Sequence, residues 1–461
     1  MAHSNPLETV LALSRFGLGA GPDGWQGAGV NARETLQKEI HRGAAPLKVT
    51  PVLPATPELL GEYYAFQKAV KTAQKQMPTA DTSRLPNPIA DRHLSEINAR
   101  LNGMIHKPKF GFNERLVLFW ANHFAVATDK SSPIRITAGA FEREAIRPNI
   151  FGRFTDLVMA VETHPCMLTY LDNVTSIGPG SAEGLKTRGG LNENLAREIM
   201  ELHVLGVGSG YTQADVTALA AALTGWSVSK MPETIRGAGD GFDYIPANHQ
   251  PGNQKVLGKV YADNGFFQAA DIITDLTVRP ATARHIAYKL ARHFVADIPP
   301  QTLVNGLADT FLKTGGDLSA VYSALIDSEE AWLPTCTKIR SPQEHLIAML
   351  RATGIQVRPA LLKQALYAMG QSLWTPPGPN GFPDTFAAWA TPEGLSTRVD
   401  VAAFIATQIL ADRSHHLDPR ELAVRSLGPR LSRTTTEAVA HAESSGQGLA
   451  LLFMSPEFLR R

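Results

Sequence analysis

Gly190 to Trp226, GLNENLAREIMELHVLGVGSGYTQADVTALAAALTGW, decides the reading of this chain. It predicts two helices joined by a Gly-rich loop. Gly190 or Asn192 starts the first and Gly206 ends it. Thr212 caps the second, with Asp215 placed as the acid of a capping box, and Gly225 ends it. At helical spacing, Leu195, Ala196, Ile199, Leu202 and His203 cover one side of the first helix, and Met200 and Val204 a second. The rest is a polar wedge of Asn194, Arg197, Glu198 and Glu201, with Glu193 at its edge.

A helix that is apolar outside a narrow wedge belongs inside protein, and buried charge must be paired or must bind something. The wedge carries more acid than base, so histidines or arginines from elsewhere, or a cation, are expected to converge on it. Two readings stay open. Glu193, Arg197 and Glu201 at i, i+4 and i+8 suit an internal ion-pair network. The same residues suit a site in which Glu198 and Glu201 act as acid and base or ligate a divalent cation with His203, and Arg197 orients them.

Working outward, the 461 residues exceed a usual domain, but no linker or repeat divides them. The expectation is a mainly α, multi-helical single domain over 1–461. It carries a helical arm at 58–105 and a small β-hairpin within 228–261, where Phe242–Ile245 and Lys255–Leu257 read as strands. A net charge of +1 gives no electrostatic case for nucleic acid or a membrane surface. Cys166 and Cys336 form neither a disulfide framework nor a metal-spacing motif. No basic-then-apolar leader opens the chain and no run approaches a membrane span. As written the chain reads as cytoplasmic, or periplasmic if a leader has been removed.

Further candidates are scattered. His123 stands in the strongly apolar segment Asn113–Val126 and is either a satisfied core histidine or a catalytic partner of the wedge. Arg143 and Arg147, one turn apart, form an anion-binding pair or a solvated face. His249 sits in a turn where a hairpin packed on the helices holds it at the mouth of a cleft, and Trp226 closes the organising stretch. Asn194, Arg147, Arg143, His249 and Trp226 are the candidate substrate contacts. Trp374–Pro383, WTPPGPNGFP, is a rigid Pro/Gly loop that serves as a binding wall or a packed corner. No HExxH, no P-loop and no GxGxxG after a strand is present, and neither Glu198 nor Glu201 has the i+3 histidine of a di-iron bundle.

The organising stretch resembles the signature of a large bacterial family of unknown function, number eighteen hundred among such domains. LSRFGLGA (13–20), ERLVLFWANHF (114–124), IRPNIFGRF (146–154), PCMLTYLDN (165–173), HQPGNQKVLG (249–258), RSPQEHL (340–346) and SPEF (455–458) match in order. Gln250 stands where the family pattern has an acid, and Phe382 where it has tryptophan. The resemblance implies one architecture and little chemistry. It also implies an export signal in many members and a partner resembling the phosphatase and sulfatase superfamily. The function expected is an enzyme, hydrolytic or group-transferring, with a divalent cation as its candidate cofactor; the alternative is a non-catalytic scaffold or partner.

Overall fold

The computed structural model describes residues 5–28, 31–47, 51–77, 79, 81–106, 110–229, 241–412 and 417–461. Parts of the expected hairpin region (230–240) and of the turn within the 58–105 segment (78 and 80) lie outside the described residues.

Local sequence fixes most helix starts. The Asn5 side chain accepts from the amides of Leu7 and Glu8, with Pro6 in the first turn. Thr212 and Asp215 close a capping box at the head of Gln213–Leu223. Ser341 and Glu344 close another at the head of Pro342–Thr353, a helix buried along its whole length. Apolar stripes then bury against one another. Side chains from Ala12 to Phe458 form one contiguous core, and Leu59, Ile89, Ile136 and Ala140 form a smaller cluster beside it. The fold is mainly α. Among the described residues no helix is long and apolar enough to cross a membrane.

Strands are few and short. Trp226–Val228 (β1) pairs antiparallel with Phe242–Tyr244 (β2), and Gln254–Val256 (β3) pairs with Lys259–Tyr261 (β4). The expected strand at 242–245 thus pairs backward with β1 rather than forward with the 255 strand. The forward partner is taken because Leu257-Gly258, both at positive φ, fold β3 onto β4 in a two-residue turn. The 58–105 segment is two helices, Thr56–Gln76 and Pro88–Ile105. The first is exposed over most of its C-terminal half, while the second buries Ile97, Leu101 and Met104 in the main core.

Among the described residues, three helices loosen into π turns, at Ala12–Phe16, Glu142–Ile146 and Ile199–His203. The last ends the organising helix at His203, three residues before the glycine expected to stop it. A wide final turn leaves the carbonyls of Leu202 and His203 for partners outside the helix. His285 Nε2 reaches the Leu202 carbonyl at 3.0 Å, and His123 Nε2 the His203 carbonyl at 2.9 Å.

Arg143 and Arg147 are structural in their contacts. Arg147 is buried and holds Glu114 through two bonds of 2.8 Å. Arg143 holds buried Glu96, at 2.7 Å from Nη2. We expect Arg147→Ala to cost about 3–5 kcal/mol in a urea unfolding experiment, because it leaves a buried carboxylate without its bidentate cation. A loss below about 1 kcal/mol, the range of exposed pairs, would contradict that assignment.

Candidate functional site

A cleft of about 530 Å³ opens between the Phe112–His123 helix, the end of the organising helix, the Pro280–Phe294 helix and the Pro/Gly loop. The loop is one wall: Trp374, Pro376, Asn380, Phe382 and Pro383 line it. Asn122 ties it down, donating to the Phe382 carbonyl at 2.9 Å and accepting from the Phe382 amide at 2.7 Å. Gly381 sits at φ 76°, and a Cβ there would lie 2.3 Å from the Asn122 carbonyl oxygen, so only glycine lets the loop approach this closely. Trp374, also at positive φ, is fixed by the Arg100 guanidinium 5.1 Å above its ring and by its indole N–H on Glu142 at 3.2 Å.

Behind the cleft lies a buried ionic network. Glu344 takes Arg115 and Arg461, each at 2.9 Å. Asp384 takes His293 Nδ1 at 2.8 Å and Lys338 at 3.0 Å, with Arg461 at 3.6 Å. Arg115 Nε also donates to His293 Nε2 at 3.1 Å. Since a guanidinium only donates, His293 Nε2 must accept, and the ring's single proton lies on Nδ1, toward Asp384. His293 therefore resembles a catalytic histidine on an aspartate, but its outer nitrogen is already occupied. Burial pushes its pKa down to about 4. Burial works against ionisation of Glu344, and Arg115 and Arg461 overcome it, holding the carboxyl at about 2. Asp384 likewise stays well below its ordinary value, burial being outweighed by His293, Lys338 and Arg461.

The Pro280–Phe294 helix lines the cleft with His285, Tyr288, Lys289, Arg292 and His293. Among the described residues, Lys289 and Arg292 have no hydrogen-bonding or ion-pairing partner; the Arg292 guanidinium lies 5.9 Å from the Tyr288 ring. Burial lowers the Lys289 amine to about 8, with Asp384 opposing the shift and Arg292 adding to it. His285 falls to about 4, by burial and then by Lys289. His123 is lowered well below its ordinary value by burial first and by Lys289 second. Because carbonyls only accept, His123 and His285 both carry their proton on Nε2, and their Nδ1 atoms are lone-pair acceptors. The His123 Nδ1 is buried and has no hydrogen-bond partner. The two rings lie 6.1 Å apart.

A family model described as "Protein of unknown function (DUF1800)" matches residues 11–460. The chain belongs to this family. No curated protein and no solved structure matches it.

Within this family member the residues singled out from sequence separate into three groups. His123 and Glu201 line the cleft. The outer wedge is half-solvated: Arg197 meets Glu193 at 3.2 Å and Glu201 at 3.3 Å, with side-chain exposures of 38%, 31% and 30%. Gln213 and Thr217 complete this strip by bonding Arg197 and Glu193. Asn194 is exposed, and Glu198 is half-buried with its pKa raised, burial being the largest cause. The third group lies elsewhere. His203 is fully buried on Glu162 at 2.7 Å. His249 lies between the Thr224 carbonyl and Asp263, and Trp226 is a core residue stacked on Phe266. Among the described residues no group of three or more His, Cys, Asp or Glu is arranged to hold a metal ion.

Sequence reasoning missed Lys289, Arg292, His285 and the Asp384–Arg461 network. The available signal was RHIAYKLARHF (284–294), where His285, Lys289, Arg292 and His293 share one stripe opposite Ile286, Ala287, Leu290, Ala291 and Phe294. That stripe has the pattern of a solvated face, and only the loop across it makes it a cleft wall.

The network predicts an acid limb of stability. His293 and His285 are held near 4 against an ordinary 6.5, and Glu344 near 2 against 4.5. The unfolded chain therefore binds more protons across both intervals, and stability should fall as pH drops from about 6.5, continuing below 4.5. Glu344→Gln should flatten the limb below pH 4.5 in a series of thermal melts. An unchanged slope would contradict the assignment.

Proposed function

We propose that the cleft is the active site of an enzyme that acts on an anionic small molecule by hydrolysis or group transfer. The observation that carries this reading is the pair of unpartnered cations, Lys289 and Arg292, facing a cleft whose buried acids are already neutralised by Arg115, Arg461 and Lys338. Free positive charge in a partly desolvated concavity favours a carboxylate or phosphate over a neutral or cationic ligand. His123 is the base of this reading: it is neutral, its tautomer is set by the His203 carbonyl, and its buried Nδ1 has no partner of its own. Glu201 is the carboxylate on the same cleft, oriented by Arg197, and Glu198 stands behind it with a raised pKa. Asn194 lies outside this constellation, at the solvated end of the wedge.

The second reading, a non-catalytic scaffold or partner of a phosphatase- or sulfatase-like protein, is favoured by one observation. The Glu193–Arg197–Glu201 strip ties its helix to Gln213 and Thr217 of the next, as a structural brace does.

The test is ligand-induced stabilisation. Phosphate and citrate, compared with chloride at matched ionic strength, should stabilise the native state by about 2.7 kcal/mol at a hundredfold excess over Kd, and so raise Tm. Arg292→Gln should abolish most of that gain while leaving the ligand-free Tm close to wild type, because the side chain has no ion pair to lose. Equal stabilisation by all three salts, or a gain retained in Arg292→Gln, would falsify the reading.

A further inference from the structure

We propose that Lys289 is the nucleophile of the cleft and takes a carbonyl substrate, a 2-oxo acid, as a covalent imine. This rests on the reading of the cleft as an active site and names its substrate class.

Lys289 lies one turn after His285 and one turn before Arg292 and His293 on the same helix face. A lysine held against protein normally finds a carboxylate. Of the acids on this cleft, Glu344 is saturated by Arg115 and Arg461, Asp384 by His293, Lys338 and Arg461, and Glu201 pairs with Arg197. Lys289 has no such contact among the described residues: Asp384 acts on it only from beyond ion-pairing distance, and Arg292, along the helix, is of like sign. Desolvation without a counter-ion is how proteins make a lysine nucleophilic, because it favours the neutral amine. At a pKa of about 8, about a tenth of the amine is neutral at pH 7, against fewer than about one in a thousand for an ordinary lysine.

The remaining parts of an imine-forming site are in place. His285 stands one turn before Lys289 on the cleft wall, its Nε2–H committed to the Leu202 carbonyl and its ring neutral. The Lys289 nitrogen attacks the carbonyl carbon; a C–N bond forms and the π pair moves to oxygen. The ammonium proton passes through solvent in the cleft to that oxygen, giving a carbinolamine. A second proton transfer from nitrogen to the hydroxyl expels water and leaves C=N. Ketone plus amine gives imine plus water, with no change of oxidation state. Arg292, one turn on and free of any carboxylate of its own, is placed to hold the acid group next to the reacting carbonyl. That juxtaposition of a free amine and a free guanidinium selects a 2-oxo acid over a simple aldehyde.

The experiment is reductive trapping on the full chain. Protein is incubated at pH 7 with pyruvate and sodium cyanoborohydride and mapped by peptide mass spectrometry, with exposed Lys71 as the internal reference. We expect Lys289 to be alkylated at least tenfold faster than Lys71, acetaldehyde to give a smaller preference, and Lys289→Arg to remove the adduct. Modification of Lys289 no faster than that of Lys71 in the wild-type protein overturns the proposal, and that comparison does not depend on how any variant folds. If trapping fails while phosphate and citrate still stabilise the protein through Arg292, the imine is wrong and the anion-binding cleft stands. If both fail, both readings fall.

Discussion

Glu344 lies between the guanidinium groups of Arg115 and Arg461, and the rest of the structure is arranged so that this costly contact can exist. A carboxylate taken out of water is expensive unless its geometry and its other hydrogen bonds are satisfied. Glu344 meets the first need with two cations. It meets the second by closing the capping box of its own helix, accepting from the Ser341 amide at 2.9 Å. The same cations reach further. Arg115 donates to His293 and Arg461 approaches Asp384, which binds Lys338. One ionic lattice thereby joins the Phe112–His123, Pro280–Phe294 and Pro342–Thr353 helices to the Pro/Gly loop and to the last residue of the chain.

This lattice decides the chemistry of the cleft. By consuming Glu344 and Asp384 it leaves Lys289 and Arg292 without a carboxylate in contact among the described residues, though both sit on the helix that supplies His293 to the lattice. It also fixes the register of that helix, so that His285 meets the Leu202 carbonyl at the π turn. The helix end and the histidine caps are two sides of one arrangement. A plain α-helical ending would satisfy more carbonyls internally and leave His123 and His285 free to choose either tautomer.

The sequence carried the fold further than the site. Caps such as Asn5, Thr212–Asp215 and Ser341 act over three or four residues, and apolar periodicity reports burial directly, so helices and their starts were legible. Strand pairing in 226–261 was not, because β1 begins at Trp226, the closing residue of the helical stretch, and three-residue strands carry no period. On the organising helix, the i, i+4 spacing of Glu193, Arg197 and Glu201 was one of two open readings, and these residues do pair at half-solvated positions. His123 was visible as a histidine in an apolar helix. Lys289 and Arg292 were not, because a polar stripe looks the same whether water or a distant loop covers it. Asp384 and Arg461 are 77 residues apart in the numbering and meet only through the fold.

The cleft's acids are spent within the lattice, and Lys289 faces it with no carboxylate in contact among the described residues. The most direct measurement is an NMR titration of the Lys289 amine, observed through its side-chain Cε and Nζ and assigned by its loss in Lys289→Arg. The account predicts a midpoint near 8 that moves upward when phosphate is added. A midpoint at the ordinary lysine value of about 10.4, indifferent to phosphate, would mean that the amine is solvated or already paired, and would contradict it.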